Sequence, residues 1–205
     1  GFRDALQMRR GVREVQYDNK YTAPVPLVPR WLRRPVSERI DAEGTVLEEI
    51  NLDDVDDAIE RFSTMGVEAV AVCFMHSYRD DVNERAAAER FRAKLPSTYL
   101  SVSSQVLPQV RFYDRISTTV LNACVGPILG NYLQRLVARL EAVEFPGVLL
   151  IMQSNGGVAT AAQSARLAAS TLLSGPAAAP VAGLAYSGLH DQQDFITVDM
   201  GGTSF

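Results

Sequence analysis

The feature that most constrains the fold is a nearly continuous apolar run at residues 67–75, which is preceded and followed by helical patterns. Such runs of small and branched apolar residues are typical of a strand that is buried on both faces of a sheet. Before the run, apolar residues recur at helical spacing from Leu52 to Phe62, with Asn51 as the predicted helix cap. The run is therefore predicted to be a central strand with a helix packed beside it.

A second helical pattern follows, with Asn83 as its predicted cap and Pro96 as its end. Residues 99–103 then form another predicted strand. Strand, helix and strand in this order predict a parallel sheet with helices packed on it. Upstream, the prolines of residues 22–35 predict an extended segment, and the alternating residues 36–48 predict a β-hairpin with a glycine-containing turn.

The second half of the chain continues to alternate between helices and strands. We predict helices at 109–123 and 127–143, a strand at 148–152, a helix at about 160–169, a strand at 170–173, a helix at about 177–187 and a strand at 195–200. The two long helices are separated by Gly126-Pro127, which is expected to break the helical pattern. The interior Pro180 is expected to kink the small-residue helix.

Composition and charge exclude several classes of protein. The chain is 47% hydrophobic and 21% charged, with a net charge of −4, so it lacks the clustered basic surface of a nucleic-acid binder. Neither a transmembrane run nor a signal peptide is found, and we expect a cytoplasmic protein without membrane association. Cys73 and Cys124 lie in apolar segments without further ligands at metal-binding spacing, which predicts two buried, unpaired thiols.

The most informative motif follows the predicted strand at 195–200, where the chain reads Asp199-Met-Gly-Gly-Thr-Ser204. Gly201 and Gly202 allow a sharp turn and a close approach to a ligand, and amide N–H groups in such a turn converge on phosphate oxygens. Thr203 and Ser204 can add hydroxyl donors. Asp199 is positioned to hold a hydrated magnesium ion. An ordinary hairpin turn is the alternative interpretation of these residues.

Two further groups are candidates for function. Ser154, Asn155, Gly156 and Gly157 follow a predicted strand and are candidates for contact with a substrate, although a simple turn explains them equally well. His76 follows the buried strand and is a candidate general acid or base; a histidine hydrogen-bonded to the backbone is the alternative.

Several motifs occur in one order along nearly the whole chain. They are Gly1-Phe-Arg-Asp4, Val70-Ala-Val-Cys-Phe-Met-His-Ser-Tyr78, Val106-Leu-Pro108, Ser117-Thr-Thr-Val-Leu-Asn122, Met152-Gln-Ser-Asn-Gly-Gly157, Leu172-Leu-Ser-Gly-Pro176 and Asp199-Met-Gly-Gly-Thr-Ser204. In this order the motifs resemble the N-methylhydantoinase A / 5-oxoprolinase / acetone carboxylase family.

The resemblance implies an α/β chain with a partial actin-like ATPase (ribonuclease H-like) fold, a mixed sheet with flanking helices, truncated at both ends. Residues 1–50 would be an extended segment and a β-hairpin. Residues 51–173 would form the α/β core of the first ATPase-like lobe. Residues 174–205 would provide an interdomain helix and the first strand and phosphate loop of the second lobe.

The resemblance also implies ATP and Mg²⁺ as cofactors, a cyclic amide substrate whose carbonyl oxygen is activated by phosphorylation, and a hydantoinase B-like second subunit or domain. Asp199 and His76 are then the candidate catalytic residues. Arg111 and Arg115 become candidates for holding the substrate-binding region in place, whereas their charge pattern alone favours an exposed, salt-bridged face. A ketone carboxylase subunit and a non-catalytic assembly domain remain alternatives. The isolated chain is expected to bind ATP weakly and to turn nothing over.

Overall fold

The structure is a computed structural model that describes residues 2–11, 13, 15–190, 194–198 and 200. Contacts between residues divide the chain into two units, Gly1–Pro127 and Ile128–Phe205. The boundary falls inside a long helix.

Helices and short strands alternate through the first unit. Its helices are α1 (Ala5–Met8), α2 (Leu52–Thr64), α3 (Val82–Lys94), α4 (Ser103–Val106) and the first half of α5 (Phe112–Ala142), with short 3-10 helices at Phe2–Asp4 and Arg30–Leu32. Its strands are β1 (Arg39–Ile40), β2 (Val46–Glu48), β3 (Ala69–Val72) and β4 (Tyr99–Val102).

The first unit is built around β3 and β4, which pair in parallel and align Ala69 with Tyr99 and Val72 with Val102. Helix α3 connects them, so the predicted strand–helix–strand order is confirmed. Strand β3 is shorter than the predicted 67–75, because beyond Val72 the backbone of Phe74 is hydrogen-bonded to side chains instead of to a neighbouring strand.

The core of this unit lies between one face of β3 and helices α2 and α3. Buried apolar side chains from these elements form one cluster: Val55, Ala58, Ile59, Phe62, Val70, Val72, Ala87 and Phe91. The rings of Phe62 and Phe91 stack with their centroids 6.3 Å apart. Helix α2 begins as predicted, since Asn51 Oδ1 accepts a hydrogen bond from the N–H of Asp53.

The β-hairpin is confirmed, but the predicted cap of α3 is wrong. Strands β1 and β2 pair in antiparallel orientation across a turn in which the Asp41 carboxylate accepts from the N–H groups of Glu43 and Thr45. Helix α3 begins at Val82, and Asn83 lies inside it, where it is buried and donates to Glu38 Oε2 at 3.0 Å. A tertiary hydrogen bond therefore takes the place of the predicted cap.

Helix α5 replaces two predicted helices. It runs without a break from Phe112 to Ala142 and contains Pro127. The neighbouring Gly126 has a packing role, because a Cβ atom at this position would lie 2.1 Å from the ring of Tyr99. The Gly-Pro pair thus allows the helix to approach β4 closely and does not end it.

The second unit contains a hairpin and two further helices. Its elements are β5 (Leu150–Met152), β6 (Val158–Thr160), α6 (Ala161–Arg166), a 3-10 helix at Ala168–Thr171 and α7 (Ser174–Gly188). Strands β5 and β6 are antiparallel, and Thr160 caps α6 by accepting from the N–H of Gln163. Helix α7 includes Pro180 and begins at Ser174, so the predicted Ser-Gly-Pro turn is the first turn of the helix.

Two predicted strands in the second unit are wrong as far as the structure describes them. In place of the strand predicted at 170–173, Ser170 and Thr171 are the last residues of the 3-10 helix, and the Ser170 hydroxyl and N–H both donate to Leu167 O. Residues 195–198 are not paired with a strand. Gly183 has no side chain, and Phe195 and Thr197 occupy the space that its Cβ would take.

The α/β class is confirmed. Within the described residues the strands form three two-stranded sheets, one parallel and two antiparallel, where a mixed sheet was expected. The actin-like arrangement remains a prediction. Both cysteines are free as expected, but Cys124 is exposed, so its predicted burial is wrong.

Candidate functional site

The candidate site lies where β3 and β4 end, at the same edge of the parallel pair. The segment 73–79 follows β3, and Ser103 and Ser104 follow β4. Ligands of open α/β sheets bind outside the carboxyl ends of the strands, so these two segments are the natural place for a site. Side chains from α3 and α5 hold both of them.

Glu84, in the first turn of α3, is fully buried and joins the two segments. Its Oε1 atom accepts from the N–H of Phe74 at 2.8 Å and from Ser103 Oγ at 2.5 Å. Its Oε2 atom accepts from the N–H of Ser104 at 2.9 Å. A buried carboxylate is costly unless it is paired and hydrogen-bonded, and here three donors satisfy it.

Arg115, near the start of α5, is the buried cation that accompanies Glu84. Its Nη2 atom donates to the carbonyl oxygens of Phe74 at 2.5 Å and Met75 at 2.6 Å, and its Nη1 atom donates to Gln109 O at 2.9 Å. Its Nε donates to Ser103 Oγ at 3.1 Å. The guanidinium therefore fixes the backbone of the segment that follows β3.

The Ser103 hydroxyl links the two charged groups, since it donates to Glu84 and accepts from Arg115. We call Glu84, Ser103 and Arg115 the buried clamp. The clamp holds Phe74 from both sides, through its N–H and its carbonyl oxygen. Burial lowers the pKa of Arg115 and the charge of Glu84 opposes this shift. The nearby Cys73 thiol has its pKa raised, chiefly by burial and also by the charge of Glu84, which disfavours the thiolate form.

Aromatic rings complete the surroundings of Arg115. Its guanidinium carbon lies 5.4 Å from the centroid of the Tyr78 ring and 5.5 Å from that of Phe112. A cation over the face of an aromatic ring is stabilised by the ring quadrupole. Tyr78 is therefore fixed by the same side chain that holds Phe74.

His76 is half-buried in this loop, and its Nδ1 atom lies 2.8 Å from Ile40 O. A carbonyl oxygen only accepts, so Nδ1 carries the proton and Nε2 is the acceptor nitrogen of the neutral ring. The backbone hydrogen bond given as the alternative in the sequence analysis is present. It also fixes the ring in a tautomer that suits proton transfer at Nε2.

A polar cleft of about 350 Å³ adjoins the clamp. It is lined by Ser77, Tyr78, Arg79, Asp80, Asp81, Arg85, Ser104 and Pro108. Ser104 Oγ is shielded from solvent and has no hydrogen-bond partner in the described part of the chain. The cleft thus combines charges of both signs with an unused hydroxyl, next to residues that the clamp holds in place.

Arg111 does not join Arg115. It is exposed, precedes α5 and has a positive φ of 79°. The expected exposed face is therefore correct for Arg111 and wrong for Arg115, which is buried. The charge pattern predicted that both arginines lie on the surface, but one of them lies in the interior.

The residues 154–157 form the turn between β5 and β6. Gln153 N donates to Gly157 O at 2.8 Å, and Asn155 Oδ1 accepts from Gly157 N at 2.9 Å. Gly156 has a φ of 80°. Ser154 Oγ donates to Ser170 O and accepts from Leu173 N. The turn thus closes an antiparallel hairpin and does not lie at the carboxyl edge of a parallel sheet.

The predicted phosphate loop, Asp199, Gly201, Gly202, Thr203 and Ser204, lies outside the described residues and remains a prediction. In the described ranges no group of three or more His, Cys, Asp or Glu side chains is arranged to hold a metal ion. Over the same residues, no helix is long and apolar enough to cross a bilayer.

Sequence reasoning missed Glu84 and Ser103. In the sequence, Glu84 is an acidic residue in the first turn of a predicted helix, a position where the helix dipole favours a negative charge. The only available signal was the Ser103-Ser104 pair directly after a predicted strand, which places two polar groups at the end of the sheet.

Comparison with known proteins identifies the family of the chain. The family model described as Hydantoinase/oxoprolinase N-terminal region matches residues 1–95, and the Hydantoinase/oxoprolinase model matches residues 115–205. Caprolactamase subunit alpha of Pseudomonas jessenii is 39% identical over the whole chain, and the chain spans 30% of that protein. The 5-oxoprolinase of Saccharomyces cerevisiae is 32% identical over 68% of the chain, which corresponds to 11% of that protein.

A solved structure extends the likeness to three dimensions. The crystal structure of the ATP-dependent caprolactamase from Pseudomonas jessenii matches with a TM-score of 0.87 and 38% sequence identity. The match covers 99% of this chain and 30% of the solved chain.

Proposed function

We propose that this chain, which belongs to the hydantoinase/oxoprolinase family, is part of an enzyme subunit that uses ATP to hydrolyse a cyclic amide. The observation that carries the proposal is the structural match to an ATP-dependent caprolactamase at 38% identity over 99% of the chain. Identity at this level over the whole chain supports a shared reaction type as well as a shared fold.

The proposed chemistry begins with transfer of a phosphoryl group from ATP to the substrate carbonyl oxygen, which leaves ADP. Two water molecules would then open the ring C–N bond and release inorganic phosphate, so that the products are ADP, phosphate and the ring-opened amino acid. Asp199 and the Gly201-Gly202 turn are proposed to bind the phosphates of ATP, with Asp199 facing Mg²⁺ and the hydroxyls of Thr203 and Ser204 adding donors. This part rests on the sequence motif. The metal and the nucleotide would supply charge neutralisation and the transferable phosphoryl group.

The described residues have two proposed roles. Glu84 and Arg115 keep the segment after β3 in one conformation, which is what a site needs to hold reacting groups in place. His76 is the proposed acid–base residue, because the bond from Nδ1 to Ile40 O leaves Nε2 as the nitrogen that exchanges a proton. The turn at Ser154, Asn155, Gly156 and Gly157 is a candidate substrate contact, and Arg111 a less direct one.

We also propose a second, hydantoinase B-like subunit or domain. The support is that the curated relative from Pseudomonas jessenii is named as the alpha subunit of its enzyme. A subunit so named is a component of a larger enzyme, and this chain corresponds to 30% of the length of that subunit.

The test is ATP turnover by the full-length protein with its partner, measured with lactams, 5-oxoproline and hydantoins and, separately, with ketones plus bicarbonate. We expect ADP formation to be stimulated by a cyclic amide. Stimulation only by a ketone with bicarbonate would favour the carboxylase alternative. Unchanged ATP consumption in Asp199→Ala and Gly202→Val would favour the assembly-domain alternative.

A further inference from the structure

The β1–β2 hairpin lies along the loop that follows β3. Its Ile40 carbonyl oxygen accepts from His76 Nδ1 at 2.8 Å. At the hairpin turn, a Cβ atom on Gly44 would lie 3.6 Å from the Cβ atom of Arg79, so the hairpin contacts the loop a second time there. The buried clamp bonds to the loop residues that precede His76. The hairpin and the clamp therefore hold different parts of the same loop.

Glu38 and Asn83 join the hairpin to helix α3. Asn83 Nδ2 donates to Glu38 Oε2 at 3.0 Å and lies 3.5 Å from Glu48 O, so one amide group contacts both sides of the hairpin. Burial alternates along the first side, where Glu38 is half-buried, Arg39 is exposed and Ile40 is buried. Glu38 and Ile40 therefore face the interior together. The anchor at Glu38 is two residues away from the carbonyl group that binds His76.

The first turn of α3 thus holds the loop in two ways. Glu84 accepts directly from the N–H of Phe74. Its neighbour Asn83 acts indirectly, because it binds Glu38 and the hairpin in turn binds His76. Groups that are held by a regular helix are placed more precisely than groups on a free loop. The backbone of the loop and the ring of His76 are therefore both fixed relative to the same helix turn.

The proton on the His76 ring depends on a single carbonyl group. Among the described residues, the bond to Ile40 O is the only hydrogen bond of the ring. Tyr78 contacts the ring edge-on, with the centroids 6.1 Å apart. This aromatic contact restricts the ring but does not select one of its two neutral tautomers. The tautomer therefore follows from the position of the hairpin.

Glu38 is a costly residue at this position. It is half-buried, burial raises its pKa, and the hydrogen bond from Asn83 opposes this shift only in part. A half-buried carboxylate is destabilising unless its bonds compensate for the lost hydration. Residues that lower stability without a structural gain are expected mainly at functional sites.

We infer that Glu38 is a positioning residue for His76. Held by Asn83, Glu38 keeps the hairpin against the loop, so that Ile40 O retains the ring proton on Nδ1 and Nε2 stays unprotonated. This role depends on the acid–base function proposed for His76, whereas the state of the ring is measured without catalysis.

The first test measures the tautomer of His76 by NMR of the full-length protein labelled with ¹⁵N-histidine. The His76 signals are those that are missing in His76→Gln. At about pH 8, where a neutral ring dominates, wild type and Glu38→Gln should show a protonated Nδ1 and an unprotonated Nε2. Glu38→Met fills a similar space without an acceptor oxygen, so its ring proton should be shared between the two nitrogens. The wild-type tautomer in Glu38→Met would overturn the inference.

Two further variants control this measurement. Glu38→Ala also lacks the acceptor but adds no apolar group, and it should give the same result as Glu38→Met. Glu49→Ala removes an exposed carboxylate from the end of the same hairpin and should leave the tautomer unchanged. An equal change in Glu49→Ala and Glu38→Met would overturn the inference, because it would show a general effect of charge.

The second test separates a positioning role from a structural one by the kinetics of amide-stimulated ADP formation in the full-length complex. We expect Glu38→Met to lower kcat about tenfold or more and to change KM for the amide less than about threefold, because proton transfer is impaired and binding is not. In the His76→Gln background the same substitution should have no further effect, since Glu38 acts through His76. A further loss of about tenfold in the double variant would overturn the positioning role.

The two tests also separate this role from the proposed function. Full activity of His76→Gln would overturn the acid–base function and with it the catalytic importance of Glu38. The tautomer measurement would still decide whether Glu38 positions the ring.

Discussion

The loop after β3 and the turn after β5 are both polar segments that follow a short strand, yet they are held by different means. Phe74 and Met75 are held by Glu84 and Arg115, which are 10 to 41 residues away in sequence. The turn at 154–157 is closed by its own neighbours, through the bonds of Gln153 and Asn155 to Gly157, and Ser154 also bonds to Ser170 O and Leu173 N. The first segment is fixed by tertiary structure and the second largely by local geometry.

The two segments also differ in burial, and the residues that hold the loop after β3 are the more buried ones. The clamp residues are inaccessible to solvent and each makes several hydrogen bonds, whereas the turn is largely exposed and helix α7 beside it has no buried residue. Disrupting the clamp should therefore cost much more stability than altering the turn. Substitutions at Arg115, Glu84 and Gly156 test this difference, and a substitution at Glu38, which binds Asn83 beside the clamp, tests the cost of a half-buried carboxylate.

Arg115→Met should have the largest effect. It leaves Glu84 as an uncompensated buried charge and removes the donors of the Phe74 and Met75 carbonyl groups, so we expect a loss of about 3–5 kcal/mol in the free energy of unfolding. Urea unfolding of the full-length protein measures it. The exposed Arg111→Met is the control and should change stability by about 0.5 kcal/mol or less. Equal losses in the two variants would contradict the clamp.

Glu84→Gln keeps the shape of the side chain but removes the charge from three hydrogen bonds. We expect a loss of about 1.5–3 kcal/mol, because hydrogen bonds to charged groups are stronger than neutral ones. Combined with Arg115→Met, the loss should be clearly smaller than the sum of the single losses. Strict additivity in this double-mutant cycle would show that the two residues act independently.

Gly156→Ala tests the turn. The φ of 80° places an L-residue in the left-handed region, and we expect a loss of about 1–2 kcal/mol. Gly188→Ala is the matched control, since it lies at the end of α7 without a positive φ and with open space where its Cβ would lie. A loss at position 156 as large as that of Arg115→Met would remove the contrast between the two regions.

Glu38→Gln should have the smallest effect on stability. At neutral pH it should stabilise the protein, whereas the other three substitutions destabilise it. Burial raises the pKa of Glu38 above its ordinary value of 4.5, and the hydrogen bond from Asn83 only partly opposes this. The folded state thus favours the protonated form, so the favourable contribution of Glu38 is present below the ordinary pKa and is lost as pH rises through the folded value. The variant should melt higher than wild type at pH 7, and the difference should vanish near pH 4. A difference that is constant with pH would contradict this account.

Sequence patterns predicted the elements whose causes are local. Helix α2 follows from apolar spacing and the Asn51 cap, and the hairpin at β1 and β2 follows from alternation and the turn at Asp41. The parallel pairing of β3 and β4 follows from their connection by a helix. The helix and the hairpin are determined by residues within a few positions of one another, and the parallel pairing, between residues thirty positions apart, follows from the order of the elements.

The errors arise where distant contacts override local preference. Asn83 has the chemistry of a cap, but Glu38 binds it inside the helix. Gly126-Pro127 has the pattern of a break, but the contact with Tyr99 uses the glycine within a continuous helix. Glu84 and Arg115 read as surface charges, because nothing in a linear pattern shows that Ser103 will lie between them. The family resemblance predicted a role for Arg115, whereas no pattern pointed to Glu84.

The central proposal is that this chain belongs to an enzyme that couples ATP consumption to the opening of a cyclic amide. The most direct measurement is the ratio of ADP to ring-opened amino acid formed by the full-length complex with a responsive amide. The account predicts that the two products appear together, in equal amounts, and that both are lost in Asp199→Ala. Formation of ADP without amino acid across the lactam, 5-oxoproline and hydantoin substrates would contradict it.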